Sequence, residues 1–462
     1  MNARAGRLLA GADAAVSEVS PANTLGVLML VGYLFFLQSR LLDFTVPQLH
    51  LPMVLLIGMV GLSLLSSNLF AGLRLPAGRL LLFFVFLLGL SALFSIDRRQ
   101  SVGIVTSDIR HLTMGFAMMS LLVSVRDIRR CLQGLAWGTL VAALLGFVFQ
   151  VTVEGQRLGL EAGRFGDPND YAMVLVMGLP LWLTVASGVP RVILGIPAAG
   201  VIFLSFARAG SRGGLLAFCA LTLGYAITSS FMGKLRVAIL LVVTAVVAIA
   251  VVPAGIQKRY FTIFSVDENS SGSTMEAQRS YVESSNSRKA LLFASIGATV
   301  RHPIFGVGPG GFPQYYWQQG FVEEKRNRQG MQTHNTYTQV SSEAGIPAAI
   351  CLVCILFLCF RMTWRASQEP LLPLSHPLRV CGRALWLSMI AWALAALFLS
   401  MAWTEVIFIY VALSSSLASV HRNMIAGMRK QAGQGEKPVS SPAKPGRMGA
   451  SPTGLAHLRP IS

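Results

Sequence analysis

The stretch QTHNTYTQVSSEAGIPAAICLVCILFLCF, residues 332–360, changes character at a Gly-Ile-Pro. Before it the chain is polar and carries one histidine, His334. After it, from Ala348 to Phe360, the chain is almost wholly apolar. A hydrocarbon core about 30 Å thick needs roughly 20 residues of apolar helix, and the run 346–362 is near the short end of that length. Similar blocks occupy approximately 24–42, 49–66, 79–95, 110–125, 132–151, 171–187, 191–206, 214–231, 235–254, 384–401 and 404–420. Of the 462 residues 53% are hydrophobic and only 13% charged, where a soluble chain has about a quarter charged. The mean hydropathy is +0.60. The expected fold is therefore an all-α polytopic membrane protein with about twelve transmembrane helices.

Positive charge orients such a chain, because Lys and Arg accumulate in cytoplasmic loops. Arg74 and Arg79, Arg126, Arg129 and Arg130, Arg191, Lys234 and Arg236, Arg361, Arg365, Arg379 and Arg383, and Arg422, Arg429 and Lys430 all fall on one side of this arrangement. That side is expected to be cytoplasmic, with both termini inside. The net charge of +18 is then explained by topology. No aromatic-basic module accompanies it, so nucleic acid is not expected as a partner. Residues 1–23 lack a signal-peptide core and read as a cytoplasmic N-terminal segment. Residues 24–254 hold helices one to nine, 255–345 form one large external loop, and 346–420 hold helices ten to twelve. The Pro-, Gly- and Lys-rich tail 421–462 is expected to be disordered, with contact to anionic lipid open to it.

The external loop begins with a polar run, Asp267 to Ser287, expected to be mobile. Ser287 then reads as the cap of a helix, SRKALLFASIGATVRHP, whose inner face carries Leu291, Leu292, Ala294, Ser295, Ala298 and Thr299. GVGPGG, residues 306–311, has the letters of a dinucleotide fingerprint but follows no strand. It is expected instead to be a compact Gly-Pro loop that brings backbone close to a ligand or a helix end.

Several polar residues sit where topology alone does not ask for them. LSFARAGSRGGLLAF, residues 204–218, places Arg208 and Arg212 in an external hairpin. Arginine at membrane depth tends to mark function, or else snorkels to headgroups. GRFGDPNDYA, residues 163–172, adds Arg164 beside a turn in which Asn169 or Asp170 can cap the next span. Arg288 is expected near a helix N-terminus, where a cation is unfavourable unless an anion is bound. His334 is the histidine best placed on the outer face beside a span. Asn335 is a helix cap or a polar contact, and Glu405 lies in the external turn MAWTEV. No spacing of His, Cys and carboxylates marks a metal site. The six cysteines, Cys351-x-x-Cys354 among them, read as small apolar side chains.

Taken together, SRGGLLAF (211–218), SRKALLFASIGATVRHPIFGVGPGGF (287–312), HNTYTQVSSEAGIP (334–347) and the 163–172 loop resemble the O-antigen ligase and polymerase superfamily of bacterial membrane glycosyltransferases. The resemblance covers roughly residues 160–365. It implies a C-type glycosyltransferase fold in the bacterial inner membrane and catalysis with neither cofactor nor metal. It also implies a donor glycan carried on a polyprenyl diphosphate. The acceptor would be lipid A-core for a ligase and a growing glycan for a polymerase. Motif by motif, Arg212 and Arg288 would bind the donor diphosphate and His334 would be the base. Arg208 and Arg164 are further diphosphate candidates, and Asn335, Tyr337 and Glu405 candidates for substrate positioning. The chemistry fits those residue types: planar guanidinium forks suit phosphate oxygens that gain charge as the sugar leaves, and imidazole is a base near pH 7. Ligase and polymerase are not distinguished by these motifs. A transporter or a non-catalytic assembly subunit is the alternative of another class.

Overall fold

The computed structural model describes residues 21–65, 69–149, 151–153, 157–160, 163–185, 191–261, 273–320 and 332–434. The helices in chain order are α1 (Pro21–Ser39), α2 (Leu41–Thr45), α3 (Leu51–Leu65), α4 (Pro76–Leu93), α5 (Arg98–Leu121), α6 (Val125–Phe149), α7 (Pro168–Gly178) and α8 (Ile196–Ala209). There follow α9 (Arg212–Thr228), α10 (Phe231–Val251), α11 (Ala254–Phe261), α12 (Ser273–Arg301), α13 (Phe312–Gln318), α14 (Thr336–Ser367), α15 (Pro377–Ala395) and α16 (Glu405–Gln434). A small antiparallel ladder, β1 (Val151–Val153) with β2 (Arg157–Gly159), is the one departure from helix in the expected all-α architecture among the described residues.

Among the described residues six helices are long and apolar enough to cross a membrane: α1, α4, α6, α10, α14 and α15. Leu51–Leu65, Ile193–Ala209 and Arg212–Thr228 are apolar but shorter. The expected span 171–187 is divided between α7 and a 3-10 stretch, Leu179–Thr184. Pro180 explains the change, since its ring removes a backbone donor and crowds the preceding turn. The chain is thus a helical membrane protein whose apolar blocks map onto helices of unequal length.

Two boundaries differ from expectation. Ser287 does not cap a helix: α12 already runs from Ser273, so Ser287 lies inside it. The Met, Glu, Ala and Gln residues of STMEAQ favour an early start, and of the polar run only 267–272 lie outside the described residues. At the other end α16 continues to Gln434, past the expected boundary at 421. HRNMIAGMRKQAGQ is rich in helix formers and proline-free. Val16–Arg422 form one compact unit, and Asn423–Gln434 are the described part of a second. Residues 1–20 and 435–462, which hold most of the two expected cytoplasmic ends, lie outside the described residues.

Segments that the charge pattern puts on the outer face touch one another. Ser91 Oγ donates to the carbonyls of Phe305 (2.6 Å) and Glu343 (2.9 Å), and Ser101 Oγ to that of Pro309 (2.8 Å). Phe94 stacks on Phe305 with 4.3 Å between ring centroids. The Gly-Pro loop is the centre of this packing. Gly308 has φ 99°, and a Cβ there would stand 1.9 Å from Ser95 Oγ, so only glycine fits. The loop approaches helix ends, as one of the two sequence readings has it. The predicted inner face of α12 also packs: Leu291 and Ala298 are buried with Val307, Phe312, Tyr315 and Tyr316.

Candidate active site

His334 precedes α14 and has φ 50°. Left-handed backbone is uncommon for a side chain with a Cβ, although histidine tolerates it better than most. Its conformation is held from outside its own segment. The His334 N–H donates to Ser400 Oγ at 2.8 Å. Around it, Thr336 N–H donates to the Ala396 carbonyl (2.7 Å), Thr336 Oγ1 to that of Leu399 (2.7 Å) and Tyr337 Oη to that of Ala393 (2.8 Å). The segment 333–339 is therefore laid against the end of α15 and the turn that follows it.

Asn335 caps α14. Its Oδ1 accepts from the N–H groups of Tyr337 (3.0 Å) and Thr338 (3.1 Å), while its Nδ2 donates to the Leu397 carbonyl (3.2 Å). Both ends of the amide are committed to protein, so the capping reading accounts for this residue. Asn335→Ala is expected to cost about 0.5–2 kcal/mol, seen as a lowered thermal midpoint. Asn335→Asp should keep most of that stability, because aspartate caps equally well. A midpoint for the aspartate variant as low as for alanine would rule out capping as its main role.

Arg288 stands in the body of α12, fifteen residues after Ser273 (288 − 273 = 15). This corrects the expectation that it sits at a helix N-terminus; the macrodipole argument for a bound anion there lapses. What replaces it is proximity to His334. Burial holds the imidazole pKa below its ordinary 6.5, the positive charge of Arg288 lowers it further, and the negative charge of Asp167 opposes both. His334, Arg288 and Asp167 thus share one electrostatic neighbourhood, and His334 is biased toward the neutral form at pH 7.

Asp167, not Asn169 or Asp170, is the cap of α7: its Oδ1 accepts from the Asn169 N–H at 2.7 Å. Asn169 is engaged elsewhere, since its Oδ1 accepts from Arg157 Nη2 at 3.0 Å. Arg157 is a residue the sequence reading passed over. It is only 3% exposed, and its Nε donates to the Ala209 carbonyl at 3.0 Å. It thereby ties the 163–172 loop to the 204–218 hairpin. In that hairpin Gly210 ends α8 with φ 63°, and Ser211 Oγ accepts from the Gly214 N–H at 3.1 Å to cap α9. Arg212 is the first residue of α9 and half-buried. Arg208 has its guanidinium 5.8 Å from the Phe147 ring centre, and its Nε is buried without a hydrogen-bond partner among the described residues.

The hairpin meets the His334 segment through a shared neighbour. A Cβ on Gly213 would lie 3.1 Å from Phe398, and Leu397, Leu399 and Ser400 are the residues that hold Asn335, Thr336 and His334. The turn that holds His334 therefore also packs against the residue that follows Arg212. Arg164 lies in a short 3-10 turn, Gly163–Gly166; its side chain lies outside the described residues. Glu405 opens α16 and pairs with Arg40 (3.8 Å), whose guanidinium lies 5.2 Å from the ring centre of Phe165 in the 163–172 loop. Tyr337, as described, donates to Ala393. Among the described residues no group of three or more His, Cys, Asp or Glu side chains is placed to hold a metal ion.

No curated protein matches this chain. Residues 197–353 match the O-antigen ligase family model. The matched stretch takes in the Arg208–Arg212 hairpin, Arg288, the Gly-Pro loop and His334, and over these residues the chain is similar to that family.

Proposed function

We propose that the protein transfers a glycan from a polyprenyl-diphosphate carrier to an acceptor hydroxyl at the outer face of the inner membrane. The leading form of the reading is O-antigen ligation to lipid A-core. The observation that carries it is His334, held in left-handed backbone by Ser400 and biased toward its neutral form within the field of Arg288. Strained backbone at a titratable residue is a recurrent mark of a working site. In this reading His334 takes the proton of the acceptor hydroxyl as that oxygen attacks the anomeric carbon. The C–O bond to the diphosphate breaks, and Arg212 and Arg288 stabilise the charge that develops on the leaving phosphate oxygens. Arg208 and Arg164 extend the cationic surface for the same diphosphate. Glu405 and Tyr337 border the site, and neither cofactor nor metal has a part in the scheme. The full topology proposed with it has about twelve spans, an external segment 255–345 and cytoplasmic termini.

Purified protein in detergent, with a lipid-linked glycan donor and EDTA, tests the proposal. Product that forms only when lipid A-core is supplied means a ligase; chains that lengthen without it mean the polymerase of the same superfamily. Absence of turnover with the native donor would overturn the enzyme reading in favour of a transporter or an assembly subunit. Arg288→Ala is expected to lower kcat/KM about 100-fold, the loss usual for one donor to a developing oxyanion. Arg288→Lys should recover only part of this, because an ammonium cannot reproduce the planar fork. Full recovery by lysine would mean that Arg288 acts as a point charge and grips no phosphate oxygens.

A further inference from the structure

Helix α12 has two opposed faces. Leu291, Ser295 and Ala298 point inward, and Thr299 Oγ1 is hydrogen-bonded to Ser341 Oγ of α14 at 2.9 Å. The helical repeat sets Arg288 on the same side. The other side carries Phe293 (70% exposed), Ile296 (44%) and Val300 (72%). Spacings of three and four residues make these one stripe. A charged or small residue would normally occupy such positions on a helix facing water, and contiguous exposed apolar surface marks a binding surface.

The stripe does not end with the helix. Ile304 is 61% exposed in the turn that follows. The Ile346 N–H donates to the Pro303 carbonyl at 2.8 Å, which sets this turn against α14. There Ile346, Ile350, Val353 and Phe357 are exposed at the same helical spacing, on a helix long and apolar enough to cross a membrane. Phe94, exposed and stacked on Phe305, adds the end of α4. The outward face of α12 is thus continuous with the apolar flank of a spanning helix. Lys289 lies one turn before Phe293 on the same side, and Arg301 follows Val300; both are exposed. Cations that flank an apolar stripe suit the phosphate level of a bilayer, where long basic side chains reach headgroups while the stem stays in apolar surroundings.

We infer that α12 is an interfacial helix whose Phe293–Ile296–Val300–Ile304 stripe is seated in the hydrocarbon of the outer leaflet, with Arg288 turned to the opposite side. The partner is bilayer lipid. This goes beyond the glycan-transfer reading and rests only on the chain being a membrane protein. The arrangement puts the lipid surface and the residues near His334 on two sides of a single helix, so a lipid-borne group need not leave the leaflet to reach them.

The test is spin-label accessibility in lipid nanodiscs. Exposed Cys219 and Cys354 are first replaced by alanine. Single cysteines then go in at Phe293 and Val300, at Val242 on α10 as a lipid-facing reference (64% exposed), and at Gln318 on α13 as an exposed reference in the external segment. Collision with oxygen and with a water-soluble nickel chelate is compared. The expected result is oxygen access several-fold above nickel access at 293 and 300, as at 242, with the order reversed at 318. Nickel access equal to that at 318 would overturn the inference and place the stripe in water. Low access to both reagents would overturn it equally, since another protein surface would then cover the stripe. Lipid-like access at 242 with water-like access at 293 and 300 separates failure of this inference from failure of the membrane reading. The labelled positions are already largely exposed, so elution as for the unlabelled protein is expected and checks the fold.

Discussion

Alanine in place of His334 is expected to lower glycan transfer about 10²–10⁴-fold, the range that a positioned general base contributes. The position also has a backbone demand, φ 50°, which alanine meets less well than histidine. His334→Asn is therefore the sharper variant: asparagine tolerates left-handed backbone and supplies no base near neutral pH. If asparagine folds as the native protein does and still transfers glycan at more than a tenth of the native rate, His334 is not the base. The pH profile tests the same assignment without removing the side chain. A base must be deprotonated to act, so kcat/KM should fall as pH drops through the His334 pKa. That acid limb lies below 6.5, because burial and Arg288 both lower the pKa. Arg288→Gln removes a positive neighbour, favours the imidazolium and should move the limb to higher pH. Asp167→Asn removes the opposing negative charge and should move it lower. Shifts in these two directions read the electrostatic neighbourhood of His334 itself, and a merely structural role for Arg288 or Asp167 would move neither limb.

The parts of this site that were legible in the sequence are those whose cause is local. Apolar runs announce helices, Asn335 announces a helix start, and a GVGPGG run announces backbone that must pass close to something. The outer-face arginines stand out because topology disfavours them there. Two kinds of feature were not legible. One is the helix boundary in polar sequence: residues 273–286 carry no apolar period, yet the backbone is helical, which moved Arg288 from a helix start to a helix body. The other is contact between segments far apart in the chain. Ser400 lies 66 residues from the His334 it holds, and Arg157 lies 52 from Ala209; neither leaves a periodic trace. Arg157 did leave the same signal that singled out Arg164, a basic residue in a loop read as external. Its deep burial then separates it from a solvated surface arginine.

The largest effect on folding is expected from Gly345→Ala, at the break where the polar and apolar halves of the opening stretch meet. Pro347 has no N–H, so the helix cannot bond back from it to the Glu343 carbonyl. At Gly345 the backbone leaves helical geometry, with φ 86° and ψ 169°, a region open essentially to glycine alone. The Ile346 N–H accordingly turns to Pro303, and the Ser342 and Glu343 carbonyls are free to accept from Val307 (2.9 Å) and Gly308 (2.8 Å). The Glu343 side chain, 2% exposed, locks the same loop: its Oε2 accepts from the Gly310 N–H at 2.5 Å and from Trp403 Nε1 at 2.6 Å. The helix break is thus what docks the Gly-Pro loop, and with it the end of α12 that follows Arg288. An alanine Cβ at 345 would stand 2.1 Å from the Ile304 carbonyl oxygen, against backbone that has no flexible end to move. The strained conformation alone costs about 1–3 kcal/mol, and the clash adds to it. Gly345→Ala should therefore give little folded protein in detergent, or a thermal midpoint well below the native one. Gly297→Ala is the matched control: it lies inside α12 with open space around the added methyl, and should leave the midpoint unchanged or raise it, since alanine is favoured over glycine within a helix by roughly 0.5–1 kcal/mol. Equal midpoints for the two variants would mean that the break at Gly345 does not hold the loop, and the route by which the sequence brings Arg288 to His334 would have to be sought elsewhere.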